Sequence, residues 1–168
     1  MKQLLFLLVM MAAMLNAQTA GKKLVVELST PRQTYAVGED IAITAKVCNR
    51  GPEPLSVYRY LLWGYRGGLV LEITDASGHK VEPEQLDEDS VIPTTLSDAK
   101  SFLEIPPDYE WGVVRRDKIS NLFGKPGRYR VRLRYLSPVP RKYFAKGVGQ
   151  WATEDGPVVS ECLEIEVK

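Results

Sequence analysis

Gly127-Arg128-Tyr129-Arg130-Val131-Arg132-Leu133-Arg134-Tyr135 decides how the rest of this chain is read. Apolar or aromatic side chains stand at 129, 131, 133 and 135, with arginines at 128, 130, 132 and 134 between them. A period of two places successive side chains on opposite faces, so the spacing predicts a β-strand with one buried and one wet face. Lys125-Pro126-Gly127 before it is a turn signal, because Pro presets φ and Gly tolerates positive φ. The reading is a central strand of a two-layer β-structure.

The same alternation recurs on both sides. Leu24, Val26 and Leu28 mark a first strand, ended by Thr30-Pro31. Ile41, Ile43, Ala45 and Val47 mark a second, stopped by Asn49-Arg50-Gly51-Pro52. Residues 55–63 read as a third strand with two possible inward sets, Val57 and Leu61 or Tyr58, Tyr60 and Leu62. Leu69, Leu71 and Ile73 give a fourth, closed by Asp75-Ala76-Ser77-Gly78. Residues 79–100 are polar and acidic and read as a long surface connection. Short extended pieces follow at 102–105 and 109–114, with one helical turn within 117–123. A second long loop at 137–157 precedes a last strand in which Leu163, Ile165 and Val167 alternate with Glu164 and Glu166. About seven or eight short strands separated by Gly/Pro turns predict an all-β antiparallel sandwich with two long loops.

At 168 residues there is room for one domain with a sizeable core. Apolar residues make up 45% and charged residues 26%, as in ordinary globular chains. The N-terminus differs: Met1-Lys2-Gln3 leads into an apolar run from Leu4 to Leu15, then the small residues Asn16-Ala17 and Thr19-Ala20. This reads as a secretory signal peptide over 1–17, leaving 18–168 as the domain, with a cut after Ala20 as the alternative. The apolar run is too short to span a bilayer, which needs roughly 20 residues. Removing 1–17 takes away Lys2, which leaves 21 basic residues against 21 acidic ones. A neutral chain has no general field for nucleic acid or an anionic membrane. The expectations are export to the periplasm or cell exterior, no nucleic-acid partner and no membrane span after leader removal.

Specific motifs then tie to a family. Tyr35-x-x-Gly38-Glu39-x-Ile41 leads into the strand ending Asn49-Arg50-Gly51. Phe123-Gly124-x-Pro126-Gly127-x-Tyr129-x-Val131 leads into Tyr135, and Val159-Ser160 precedes the last strand. Over about residues 22–168 this layout resembles the stand-alone immunoglobulin-like (fibronectin-III-like) domains of secreted bacterial proteins. It is also similar to bacterial proteinase-inhibitor domains and to the sandwich preceding some zinc proteases. The resemblance implies an immunoglobulin-like sandwich in which Tyr129 is a tyrosine corner, its phenol bonded to backbone a few residues upstream. Antibody-type domains carry Cys two residues after that tyrosine. Here the residue is Val131, so their inter-sheet disulfide is absent.

Two cysteines remain, Cys48 and Cys162. Each neighbours an inward residue, Val47 and Leu163, so both are predicted to point outward. In different sheets they would face opposite sides, and a bridge needs Cα atoms within about 7 Å. A bulge or strand switch would permit it, and export makes it chemically allowed, so a Cys48–Cys162 disulfide stays open.

The arginine ladder has a structural reading and a binding one. Antiparallel pairing with the last strand would set Glu164 and Glu166 beside the arginines, at roughly 0.2–1 kcal/mol per cross-strand pair. Tyr58 or Tyr60 on the next strand would stack on those left over. The binding reading is a face for carboxylates or phosphates. Trp63, Tyr65, Trp111, Tyr143, Phe144 and Trp151 are assigned to turns and loops. They either seal the ends of the sandwich or form a partner-binding platform. Asp87-Glu88-Asp89 lacks the spacing of a calcium loop. His79 is the single histidine, no Gly-x-Ser-x-Gly occurs, and the glycines at 64, 67 and 68 lack a Gly-Lys-Ser/Thr ending. No catalytic residue, metal ligand or cofactor site is therefore assigned. The function expected is an exported, non-enzymatic module that binds another macromolecule, a protein first. The alternatives are a proteinase inhibitor acting through a long loop, a reading that rests on the family resemblance, and a carbohydrate-binding module using the loop aromatics.

Overall fold

The arginine–apolar stretch forms a nine-residue strand in the middle of the largest sheet. The structure, a computed structural model, describes residues 24–64, 67–83, 99–144 and 149–168. The leader at 1–17, Tyr65 and Asp87-Glu88-Asp89 lie outside the described residues. The chain is all-β, with a single short α-helix among the described residues.

Among the described residues three sheets are formed. In the first, β1 (Leu24–Ser29), β3 (Asp40–Asn49) and β9 (Glu110–Lys118) pair antiparallel with β3 in the middle. The second runs β2 (Thr34–Tyr35), β13 (Leu163–Val167), β10 (Gly127–Tyr135), β6 (Gly68–Asp75) and β5 (Leu62–Trp63). On this sheet β12 (Val158–Val159) also pairs with β10 and β7 (Lys80–Val81) with β6. The third holds β11 (Gly149–Gln150), β4 (Leu55–Tyr58) and β8 (Phe102–Ile105). Pairing is not uniformly antiparallel as expected: β2 on β13, β5 on β6 and β11 on β4 are parallel. Each is a two-residue segment, too short to need the crossover that joins long parallel strands.

Burial follows the alternation. Tyr129, Val131, Leu133 and Tyr135 of β10 are buried in one cluster with Leu24 and Val26 of β1, Ile41, Ile43, Ala45 and Val47 of β3, and Leu69, Leu71 and Ile73 of β6. Ile165 and Val167 of β13 complete the β10 face. Each such side chain contributes about 1.5–3 kcal/mol relative to exposure. The core therefore fixes register, because a one-residue slip of β10 would bring four arginines inward.

In residues 55–63 the Val57 and Leu61 set is the one that enters the main core, but Tyr58 of the other set is buried as well. The strand splits into β4 and β5, with Arg59 and Tyr60 exposed between them. Leu55 and Val57 join the main core, while Tyr58 faces a second cluster of Val139, Phe144 and Ala152, with Phe102 packed against it. Covered on both sides, β4 has no wet face to show a period of two.

The helix α1 (Ile119–Phe123) buries Ile119, Leu122 and Phe123, the i, i+3, i+4 set of one turn. It ends at Gly124, whose φ of 70° suits a residue without Cβ. The Tyr129 phenol donates to the Phe123 carbonyl at 2.9 Å and the Lys125 carbonyl at 2.8 Å. The two rings lie 4.8 Å apart. This clamps the helix to the start of β10. Asn49 does similar work at the end of β3. Fully buried, it donates through Nδ2 to the Glu53 and Ile105 carbonyls and accepts from the Gly51 amide.

Candidate functional site

The expected site residues are not gathered in one place. Trp63 is buried in the main core and Phe144 in the second cluster, while Trp151 packs partly buried against the main core. Trp63 and Trp111 lie in strands β5 and β9, not in loops. Trp111 and Tyr143 are exposed. The Trp111 indole donates to the Arg59 carbonyl at 3.1 Å, and Tyr143 stands beneath Lys142. The described part of loop 137–157 is tied down: the Trp151 amide bonds to Ser56, the Thr153 amide to Val139 and the Thr153 hydroxyl to Ser137.

The arginine ladder is largely answered within its own sheet. Arg128 lies opposite Glu166 and Arg130 opposite Glu164, each pair 4.0 Å apart, and Arg134 reaches Glu72 at 2.9 Å. Tyr58 and Tyr60 do not stack on it. The neighbours of β10 are β6, β12 and β13, and Tyr58 belongs to the third sheet.

Cys48 and Cys162 are free thiols, so the candidate bridge is not formed. Cys162 is exposed just before β13, whereas Cys48 sits in the middle strand of the first sheet. The expectation that Cys48 meets solvent is also corrected, since it is 0% exposed. It does lie on the face of β3 opposite Val47. There Glu27 and Glu110 bring carboxylate oxygens to within 4.8 Å of each other and of its sulfur. Arg50 pairs with Glu27 and Lys46 with Glu110, so two ion pairs surround the thiol. Burial first, then the Glu27 charge, pushes the Cys48 pKa up to about 11. The hydrogen bond from Arg50 holds the Glu27 carboxyl below its ordinary range, and the one that Lys46 donates to Glu110 raises Lys46. These cations already neutralise the carboxylates. His79 stands in the exposed turn after β6, its imidazole 3.7 Å from Asp75.

The feature with the shape of a site is a groove of about 510 Å³ along β1. One wall is Leu24 to Ser29, and the other is Val158, Val159, Glu161, Cys162 and Leu163, with Lys46 also on its lining. The direction of the backbone along β1 follows from the neighbouring ladder. Bonds between Asn49 and Tyr109, and from the Ile119 amide to Glu39, aim the odd residues of β3 at the β9 side. Even residues of β3 therefore bond to Val25, Glu27 and Ser29. The amides and carbonyls of Leu24, Val26 and Leu28 point away from the sheet into the groove. Among the described residues, no hydrogen bond is made by the groove-facing backbone of Val26 or Leu28. Val159 is exposed on the facing wall, as is the Glu161 carboxylate, which has no ion-pair partner among the described residues.

Sequence reasoning named Cys162 and Val159 but not the groove. An unpaired edge depends on which strands end up as neighbours, and alternation within one strand carries no signal for that.

No family model and no curated protein matches this chain. Among solved structures it is similar to a β-glucosidase from Listeria innocua at 12% identity and a TM-score of 0.41, covering 86% of this chain and 16% of the glucosidase. It is similar to the CARDB domain of the PF1109 protein from Pyrococcus furiosus at 13% identity and a TM-score of 0.39, covering 86% and 87% of the two chains. The alkylpurine DNA glycosylase AlkC of Pseudomonas fluorescens is likewise similar at 13% identity and a TM-score of 0.39, covering 88% of this chain and 31% of that one. At these TM-scores the likenesses carry no argument about function. Among the described residues, no helix is long and apolar enough to cross a membrane.

Proposed function

We propose that this chain is an exported, non-enzymatic immunoglobulin-like β-sandwich that binds another protein by accepting an extended segment of it along β1. The Tyr129 clamp and the core shared by β1, β3, β6, β10 and β13 support the sandwich reading. The groove along the unpaired edge of β1 carries the functional reading. Donors and acceptors repeating every second residue match another peptide backbone, which is how strand addition achieves affinity. Sugars and small anions present no such repeat. Val159 and Leu163 supply apolar contact for alternate side chains, and Glu161 favours a segment carrying Lys or Arg. A loop-inserting inhibitor fits less well, because residues 137–144 and 149–157 are anchored to the body. A sugar platform fits less well too, because the aromatics are dispersed.

The test uses residues 18–168 and a synthetic seven-residue peptide of alternating Val and Lys. Amide NMR shifts should change along 24–29 and 158–163 on titration. They should vanish when the peptide is N-methylated at alternate residues, which removes the edge donors but keeps the side chains. No change at millimolar peptide, or equal binding of the methylated peptide, would overturn the proposal.

A further inference from the structure

The first sheet has a second open edge, on β9. The odd residues of β9 bond to β3, which leaves the backbone of Glu110, Gly112, Val114 and Arg116 directed outward. Among the described residues, no hydrogen bond engages those outward groups. The Lys118 amide, next along the edge, is taken by the Asp117 carboxylate. Long edges are normally blunted by charge, and the second half of β9, Arg115-Arg116-Asp117-Lys118, is charged in that manner. The first half carries Glu110 alone, beside the apolar Tyr109, Trp111 and Val114, which are 65%, 41% and 57% exposed.

We propose that β9 pairs antiparallel with β9 of a second copy of this chain, about a two-fold axis at Val113. The argument is charge complementarity. On the outer face the side chains run Glu110, Gly112, Val114, Arg116: an acid, a hydrogen, an apolar group and a base. Reversed against itself about Val113, this order sets Glu110, which also pairs with Lys46 of its own chain, opposite Arg116 of the other copy, twice, and Gly112 opposite Val114, twice. On the other face Val113 meets its own equivalent, while Arg115 stays with Asp117 of its own chain. Arg116 has no ion-pair partner within its own chain among the described residues. Cross-strand opposite charges are favourable and like charges unfavourable, so the pattern selects this register. A two-fold interface requires one patch to complement itself, and this edge does. Joining two edges would make one six-stranded sheet, with the β1 grooves at its far ends.

Sedimentation velocity of residues 18–168 across micromolar to sub-millimolar concentrations tests this. The wild type should show a reversible monomer–dimer equilibrium. Val114→Pro removes an outward amide without touching the bonds to β3, so it should melt as a folded protein yet remain monomeric. Arg116→Glu alone and Glu110→Arg alone place like charges at both contacts, and each should weaken dimerisation about tenfold or more. An equimolar mixture of those two variants pairs opposite charges at both contacts and should recover the dimer. A wild type that stays monomeric throughout, a Val114→Pro dimer as tight as wild type, or a mixture no better than its components would each overturn the proposal.

Discussion

Replacing Tyr129 with Phe removes one hydroxyl that holds two carbonyls, and the structure sets the expected loss. The Phe123 carbonyl keeps the Lys125 amide at 2.8 Å, so losing the phenol there costs near the net value of one bond, about 0.5–1.5 kcal/mol. The Lys125 carbonyl is only partly buried and regains water, so its loss is near the net value of one bond, about 0.5–1.5 kcal/mol. The ring and its 4.8 Å packing on Phe123 stay, and the phenol no longer has to be desolvated. The net expectation is about 2 kcal/mol of destabilisation, which lowers the melting temperature by about 4–8 °C for a chain of this size. Tyr35 supplies the control. It is equally buried, but its hydroxyl has no hydrogen-bond partner among the described residues, and its ring contact with Arg32 survives in Phe. Tyr35→Phe should leave stability within about 0.5 kcal/mol or raise it slightly. Urea unfolding followed by tryptophan fluorescence, with a common m-value, measures both. If the two variants lose equal stability, or Tyr129→Phe is within about 0.5 kcal/mol of wild type, the clamp contributes nothing specific.

Two other sites give sharp expectations. Asn49→Ala strips three hydrogen bonds from a fully buried position, so a loss of about 3 kcal/mol is expected in the same urea assay. The thiols should separate by reactivity in the folded protein. A thiol reagent should label Cys162 quickly and Cys48 only on unfolding, as mass spectrometry of the two peptides would reveal. Because the native Cys48 pKa is raised from 9.0 to about 11, the unfolded chain deprotonates first. Cys48 therefore supports the native state fully below pH 9 and loses that support as pH climbs to 11, a slope that Cys48→Ser should flatten.

How far the sequence could be read depended on whether neighbours mattered. Strand β10 was legible because one face meets the core and the other meets water, and the same holds for Ile41 to Val47. The pairing of Glu164 and Glu166 with the ladder was legible because one loop joins the two strands, and chain order limits who can lie beside whom. For residues 55–63 the choice between the two inward sets was not legible, because Val57 and Tyr58 are buried in different clusters on opposite sides of β4. Cys48 shows the same limit on a smaller scale. Its side of the strand follows from parity, but its burial depends on charged side chains from β1 and β9 closing over it. The groove and the open side of β9 arise from sheet order, which no local pattern encodes.

The small satellite cluster of Tyr58, Val139, Phe144 and Ala152 has a consequence for how the molecule breathes. Residues 137–144 and 149–157 draw on that cluster and on a few backbone bonds to β4, while the main core is held by long ladders. Cooperative units of unequal strength open separately. Amide exchange is therefore expected to be faster at Val139, Trp151 and Thr153 than along β10, where the arginine-bearing sheet keeps its native order.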